Sequence, residues 1–338
     1  MSDALTGTPA AARTIAEPRR SLPPSLLARL VQSAFAGGKV SAVQPLTEGY
    51  RNSNFKLRVD SFPEPVVLRI YEHDETLCQK EMDLYRFLGD SVPVPELIHA
   101  APLGDEGLPP FAFFRYVEAL TFRELKHHSS PAELAQAAHS VGETLAAIHR
   151  HHFDRPGWLN AGPSPGPPLL EGPDAMARFV DLCLAAPPLQ ERLPTPLRDR
   201  IRARMWSCQA QLAVCEGETN LVHNDFGKRN ILVRQVKGRW TVAAVLDWEF
   251  AVSGTPLGDL AHFLRFERAA CPRVEPSFSD GYCHAGGTLP DGWRALGRVV
   301  DLVALCEALT RESLPEDVTS ELCELVRATV EDRDPQSC

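Results

Sequence analysis

The chain has 338 residues, 44% hydrophobic and 23% charged, which excludes a wholly disordered chain, a collagen-like repeat and a coiled coil. The length suits two domains or one domain of two lobes. The net charge of −9 comes without a basic stripe, so duplex nucleic acid and anionic membrane are disfavoured as partners.

No window approaches the roughly 18 apolar residues of a membrane-spanning helix. The nine cysteines form no CxxC pair, which argues against a zinc ribbon and for reduced, mostly buried thiols. Residues 1–22 lack an apolar signal core and carry Asp3 and Glu17. They read as a disordered tail on a cytoplasmic chain.

Residues 23–35 predict an amphipathic helix, with Leu26, Leu27, Leu30, Val31 and Phe35 on one face. Residues 40–46, 54–59 and 66–71 alternate as strands of an antiparallel meander. Cys78, Met82, Tyr85 and Leu88 recur at helical spacing within 75–88, and Pro93 and Pro95 follow. Two more strand-like runs cover 96–101 and 111–117.

From Pro131 onward the pattern is mostly helical, with helices expected at 131–150, 173–186, 196–214, 258–268, 292–312 and 316–330. The proline-rich stretch 157–173 reads as loop. One hairpin interrupts the helices: 230–234 and 240–246 are apolar strands with Gly238 in their turn.

The hairpin organises the chemistry. His223, Asp225 and Asn230 lie in the polar loop before it, and Asp247 ends its second strand. Antiparallel pairing brings Asn230 close to Asp247, with Asp225 beside them. One carboxylate to orient a hydroxyl, plus an amide and a second carboxylate to hold Mg²⁺, is the set that phosphoryl transfer from a nucleotide needs. The spacing H-x-D-x-x-x-x-N is that of a kinase catalytic loop.

Val222-His-Asn-Asp225, Asn230-Ile-Leu-Val233, Val245-Leu-Asp-Trp-Glu249 and Gly258-Asp-Leu-Ala261 together resemble the aminoglycoside phosphotransferase family, whose fold is that of protein kinases. The resemblance covers about residues 25–330. It implies an α+β, protein-kinase-like two-lobed fold: a small antiparallel sheet with one key helix (23–117), then a larger, mostly helical lobe (118–332), with 333–338 as a tail.

It also implies roles for particular residues. Asp225 is the catalytic base, Asn230 and Asp247 hold Mg²⁺, and His223 and Asp259 support the site. His223 would bond the backbone near Asp247; Asp259 would bond the catalytic loop and cap the helix that begins there. The segment 47–54 resembles the phosphate-covering loop with a single glycine, Gly49, so that Asn52, Ser53 and backbone amides would meet phosphate. Arg69 stands where protein kinases carry the phosphate-pairing lysine, with Glu81 as its partner. Tyr116 and Val117 would meet the base of ATP or GTP.

The expected acceptor is a small hydroxyl compound, with Glu249, Asp280 and Glu307 as candidate acids for a cationic one. His149-Arg-His-His152 reads as cations at a helix end. Two other readings stay open: a nucleotide-binding pseudokinase, and a metal-dependent phosphohydrolase built on Asp225, Asp247 and Asp259.

Overall fold

Alternating side chains in the first third of the chain produce one sheet. In the computed structural model, which describes residues 21–46, 52–72, 74–104, 107–267 and 272–331, helix α1 (Pro24–Ala34) precedes strands β1 (Val40–Leu46), β2 (Ser53–Val59) and β3 (Val66–Ile70). Helix α2 (Glu75–Leu88) and strands β4 (Leu97–Ala101) and β5 (Phe111–Arg115) follow. The strands pair antiparallel in the order β1-β2-β3-β5-β4.

One face buries Phe55, Leu57, Leu68, Ile70, Phe111 and Phe113 under Leu30 and Val31 of α1. The other face receives Cys78, Met82, Tyr85 and Leu88 of α2, on the face the spacing picked out. Asp74 caps α2 by accepting the Thr76 N–H at 2.9 Å. β1 is an exposed edge strand, where Pro45 costs no ladder bond.

The rest is mostly helical, as expected of a protein-kinase-like two-lobed fold. Strand β6 (Leu120–Thr121) leads into α3 (Phe122–His128) and α4 (Pro131–His149). The sequence reading placed nothing at α3. Its signal is the capping box in which Thr121 and Glu124 bond each other's backbone N–H.

Residues 157–173 are not plain loop. They contain the short strands β7 (Gly157–Asn160) and β8 (Ser164–Pro165). Helices α5 (Ala175–Ala185), α6 (Pro187–Arg192), α7 (Thr195–Ser207) and α8 (Gln209–Glu216) come next. The single helix expected at 196–214 is therefore two, broken at Cys208, whose ψ of 12° leaves the helical range.

Strand β9 (Asn220–Val222), the hairpin β10 (Ile231–Val236) and β11 (Arg239–Val245), and β12 (Val252–Gly254) precede α9 (Leu257–Phe263), α10 (Glu275–His284), α11 (Trp293–Leu309) and α12 (Glu316–Glu331). β12 lies between β7 and β9, and β10 between β11 and β6. The short strands β6, β7, β9 and β12 each pair with a strand distant in sequence, while β8 pairs with the adjacent β7.

Helices α4 and α10 touch through glycines. A Cβ at Gly281 would sit 2.0 Å from the His139 carbonyl oxygen, and one at Gly142 would sit 2.1 Å from that of Phe278. Gly281→Ala should therefore destabilise the chain by about 1–3 kcal/mol, the usual cost of overpacking, seen as a lowered Tm in thermal denaturation.

Candidate active site

The turn of the β10–β11 hairpin is Lys237-Gly238, both with left-handed backbone (φ 50° and 78°), the two-residue turn that suits strand twist. It sets Val236 opposite Arg239, and a register shift between Leu232 and Val233 then brings Ile231 opposite Val245. The Leu246 N–H then donates to the Asn230 carbonyl at 2.8 Å, so Asn230 and Asp247 flank the open end of the hairpin.

The loop from His223 to Asn230 is anchored by Phe226, which is fully buried. Asn230 Nδ2 donates to Asp225 twice, to the backbone oxygen at 3.0 Å and to Oδ2 at 2.9 Å. Asp225 keeps 39% of its side chain exposed, enough for a substrate to reach. Shielding by the surrounding protein, and Asp247 across the cleft, push its carboxyl up to about 7.

The His223 Nε2–H donates to the Leu246 carbonyl at 2.8 Å, and its Nδ1 accepts the Asp225 backbone N–H at 3.2 Å. Both ring nitrogens are thus engaged, and burial lowers the ring's pKa. Asp259 accepts the backbone N–H groups of His223 and Asn224 at 2.7 and 2.8 Å. It does not cap α9, which starts at Leu257 after Pro256 with no side-chain cap.

On the sheet side, Arg69 is the hub. Its Nε lies 3.3 Å from Glu81, its Nη2 lies 3.6 Å from Glu249, and Nη1 bonds Asp247. Burial works against its charge, but Glu81, Asp247, Tyr71 and Glu249 outweigh burial and raise its pKa. Burial pushes the Glu81 carboxyl up, and Arg69 pulls it back. Glu81 also accepts the Tyr71 hydroxyl and the Trp248 N–H, the latter at 3.2 Å.

Lys80, one residue before Glu81, donates to the carbonyls of Glu249 and Ala251 at 2.8 and 3.0 Å. Burial lowers its amine to about 8. Asn52 donates to Glu249 at 2.8 Å, and Ser53 to Glu72 at 2.7 Å. The remainder of the expected phosphate loop, 47–51, lies outside the described residues.

Tyr116 gives its N–H to Pro65 at 3.0 Å, and Lys56 Nζ sits 3.5 Å over its ring. A crevice of about 430 Å³ runs along Arg115–Glu118, Arg234 and Ala243. Its walls include none of Asp225, Asn230 or Asp247.

Two sequence expectations change, those for Glu249 and His149. Glu249 is not an acceptor-side acid but a buried partner of Arg69 and Asn52. Asp280 is 76% exposed beside His139, and Glu307 pairs with Arg311 one helical turn on. His149 is not a surface cation but a buried residue bonded to Asp259 and Tyr282.

Sequence reasoning also missed His262 and Arg265. His262 Nε2 lies 3.6 Å from Asp225 Oδ1 and 3.3 Å from Arg265, which forks onto Asp301 at 2.8 and 2.6 Å. The available signal was the position of His262 on α9, one turn after Asp259.

Among the described residues no three His, Cys, Asp or Glu groups gather as a metal cage. Asn230 and Asp247 offer a sparser set of hard oxygens. Both Asn230 hydrogen bonds leave from Nδ2, so its Oδ1 remains for a cation. Such a set fits Mg²⁺, which keeps water and phosphate in most of its shell, and does not fit zinc.

The fold and this site define a kinase-type phosphotransferase. A family model, the APH phosphotransferase enzyme family, matches residues 42–297, and the chain belongs to that family. Acyl-CoA dehydrogenase family member 11 of Pongo abelii is 35% identical over 101 residues, 30% of this chain and 12% of that protein. Its Rattus norvegicus counterpart is 30% identical over 197 residues, 57% of this chain and 23% of that protein. The chain thus spans under a third of the length of these curated relatives. The GDP complex of aminoglycoside 2′-phosphotransferase-IIIa shares the fold, with a TM-score of 0.67 at 17% identity over 92% of this chain and 99% of that one.

Replacing Lys80 by Met should lower stability by about 1–3 kcal/mol, because two buried carbonyls lose their donor. Urea unfolding of the two proteins side by side measures it.

Proposed function

We propose that the chain transfers the γ-phosphoryl group of ATP or GTP to a hydroxyl of a small acceptor, with Mg²⁺ as the metal. The observation that carries this reading is the meeting of Asp225, Asn230 and Asp247 at the open end of one hairpin, opposite the Arg69–Glu81 pair. Asp225 orients the attacking hydroxyl and takes its proton; a carboxyl near 7 is matched to that task at neutral pH. Arg69, fixed by Glu81, pairs with nucleotide phosphate. Asn52 and Ser53 cover the phosphates, and Tyr116 and Val117 meet the base. His223 and Asp259 hold the loop in place.

Asn230 and Asp247 would hold Mg²⁺, which supplies charge neutralisation on the phosphates.

Residues 248–256 join Asp247 to α9, which leaves no room for a long activation segment and favours a small acceptor over a protein. No helix among the described residues is long and apolar enough to cross a membrane. We take the enzyme to be cytoplasmic, acting on nucleotide and small substrate without nucleic acid. Solved structures of similar fold hold ADP with hygromycin B, or GDP, and the curated relatives carry acyl-CoA in their name. The acceptor panel therefore spans aminoglycosides, amino alcohols, sugars and hydroxyacyl-CoA thioesters.

The test is nucleotide consumption against that panel with Mg²⁺ present or chelated. Acceptor-dependent turnover should stop on chelation and fall about 10²–10⁴-fold in Asp225→Asn, the range of a lost general base. Arg69→Ala should raise the nucleotide KM about tenfold, as expected for one charge-assisted phosphate contact. Nucleotide binding with no transfer to any acceptor would favour the pseudokinase reading. Absence of nucleotide binding would sink the proposal.

A further inference from the structure

Helix α4 ends in a histidine that the reaction does not use. His149 is 4% exposed. Its Nε2 lies 3.2 Å from Asp259 Oδ2, and its Nδ1 lies 2.9 Å from the Tyr282 hydroxyl. A carboxylate only accepts, so Nε2 carries the hydrogen. Its Nδ1 faces the Tyr282 hydroxyl, so Tyr282 on α10, His149 on α4 and Asp259 on α9 form one hydrogen-bonded chain.

The end of that chain is the loop that carries Asp225. The two oxygens of Asp259, which is fully buried, accept the backbone N–H groups of His223 and Asn224, the two residues before Asp225. Asn224 has left-handed backbone, φ 63°, a conformation that a non-glycine residue keeps only when its surroundings enforce it. The far end of the chain is equally fixed. A Cβ at Gly287 would fall 2.3 Å from the Tyr282 ring, so only a glycine lets the turn after α10 lie against that ring. The glycine contact between α4 and α10 fixes the distance between Tyr282 and His149.

We propose that Tyr282 and His149 are positioning residues: through Asp259 they set the backbone at Asn224 and so the direction in which Asp225 faces the acceptor. The proposal rests on the reading of Asp225 as the reacting base. It predicts effects on turnover and not on nucleotide binding, because the Arg69 cluster contacts none of the three residues.

The test uses the full chain and the variants Tyr282→Phe, His149→Leu and His149→Gln. Amide hydrogen exchange at His223 and Asn224 is followed beside steady-state kinetics with Mg²⁺ and nucleotide. His149→Leu should lower kcat about 100-fold, the scale of a small misplacement of a reacting group, with nucleotide KM within about twofold of wild type. His149→Gln keeps an N–H toward Asp259 and should recover most of that loss. Tyr282→Phe should lower kcat roughly threefold to tenfold, as for a lost outer hydrogen bond, and speed exchange at both amides. If His149→Leu fails to fold, Tyr282→Phe and His149→Gln decide the matter.

Unchanged exchange at both amides in all folded variants overturns the relay. So does a kcat loss that moves with KM, or a glutamine no better than leucine. Should no acceptor support turnover, the exchange measurement still decides the relay, and the kinetic failure bears on the phosphotransfer reading alone.

Discussion

Taking a guanidinium out of water costs several kcal/mol unless well-placed carboxylates meet it. Arg69, with 8% of its side chain exposed, is met by three. Each comes from a different place: Glu81 from α2, Asp247 from the end of the hairpin, Glu249 from the turn that follows. The strand carrying Arg69 thereby ties the sheet to the helical part at one point. Lys80 and Asn52 bind the same turn from two further elements. Neutralising a buried arginine and positioning the carboxylate at the end of the hairpin are therefore one structural act.

The opposite side of the cleft works by different physics. Around Asp225 stand Asn230, His262 and Arg265, with the negative charge of Asp247 also acting on it. Asp301 holds Arg265 by a two-pronged fork, which keeps that charge in place. His262, lowered well below its ordinary pKa chiefly by burial, adds no charge at neutral pH.

Local pattern disclosed much of this. Phe55, Leu57 and Val59 alternate, and Cys78, Met82, Tyr85 and Leu88 recur at helical spacing, because one face of each element is buried in a local way. That Asn230 comes close to Asp247 was legible because a hairpin with Gly238 in its turn brings its two ends together, whereas the register shift between Leu232 and Val233 was not. The strands at 157–160 and 252–254 were not, since they pair with each other across a long stretch of chain. His149 was misjudged for a related reason: an imidazole at a helix end looks like a surface cation until Asp259, 110 positions away in the chain, is placed beside it. The missed His262 belongs to the same class.

Asn224 and Asp247 both hold left-handed backbone without being glycine, at a cost of about 1–3 kcal/mol each. The strain lies on either side of the reacting groups, and it makes the site a reservoir of unspent stability. Drift toward glycine at either position would relax the chain and thicken its margin against unfolding. It would also loosen the aim of Asp225 or remove the Asp247 carboxylate. A lineage or a design campaign that relieved the strain at these two positions would reach a sturdier fold by erasing its chemistry.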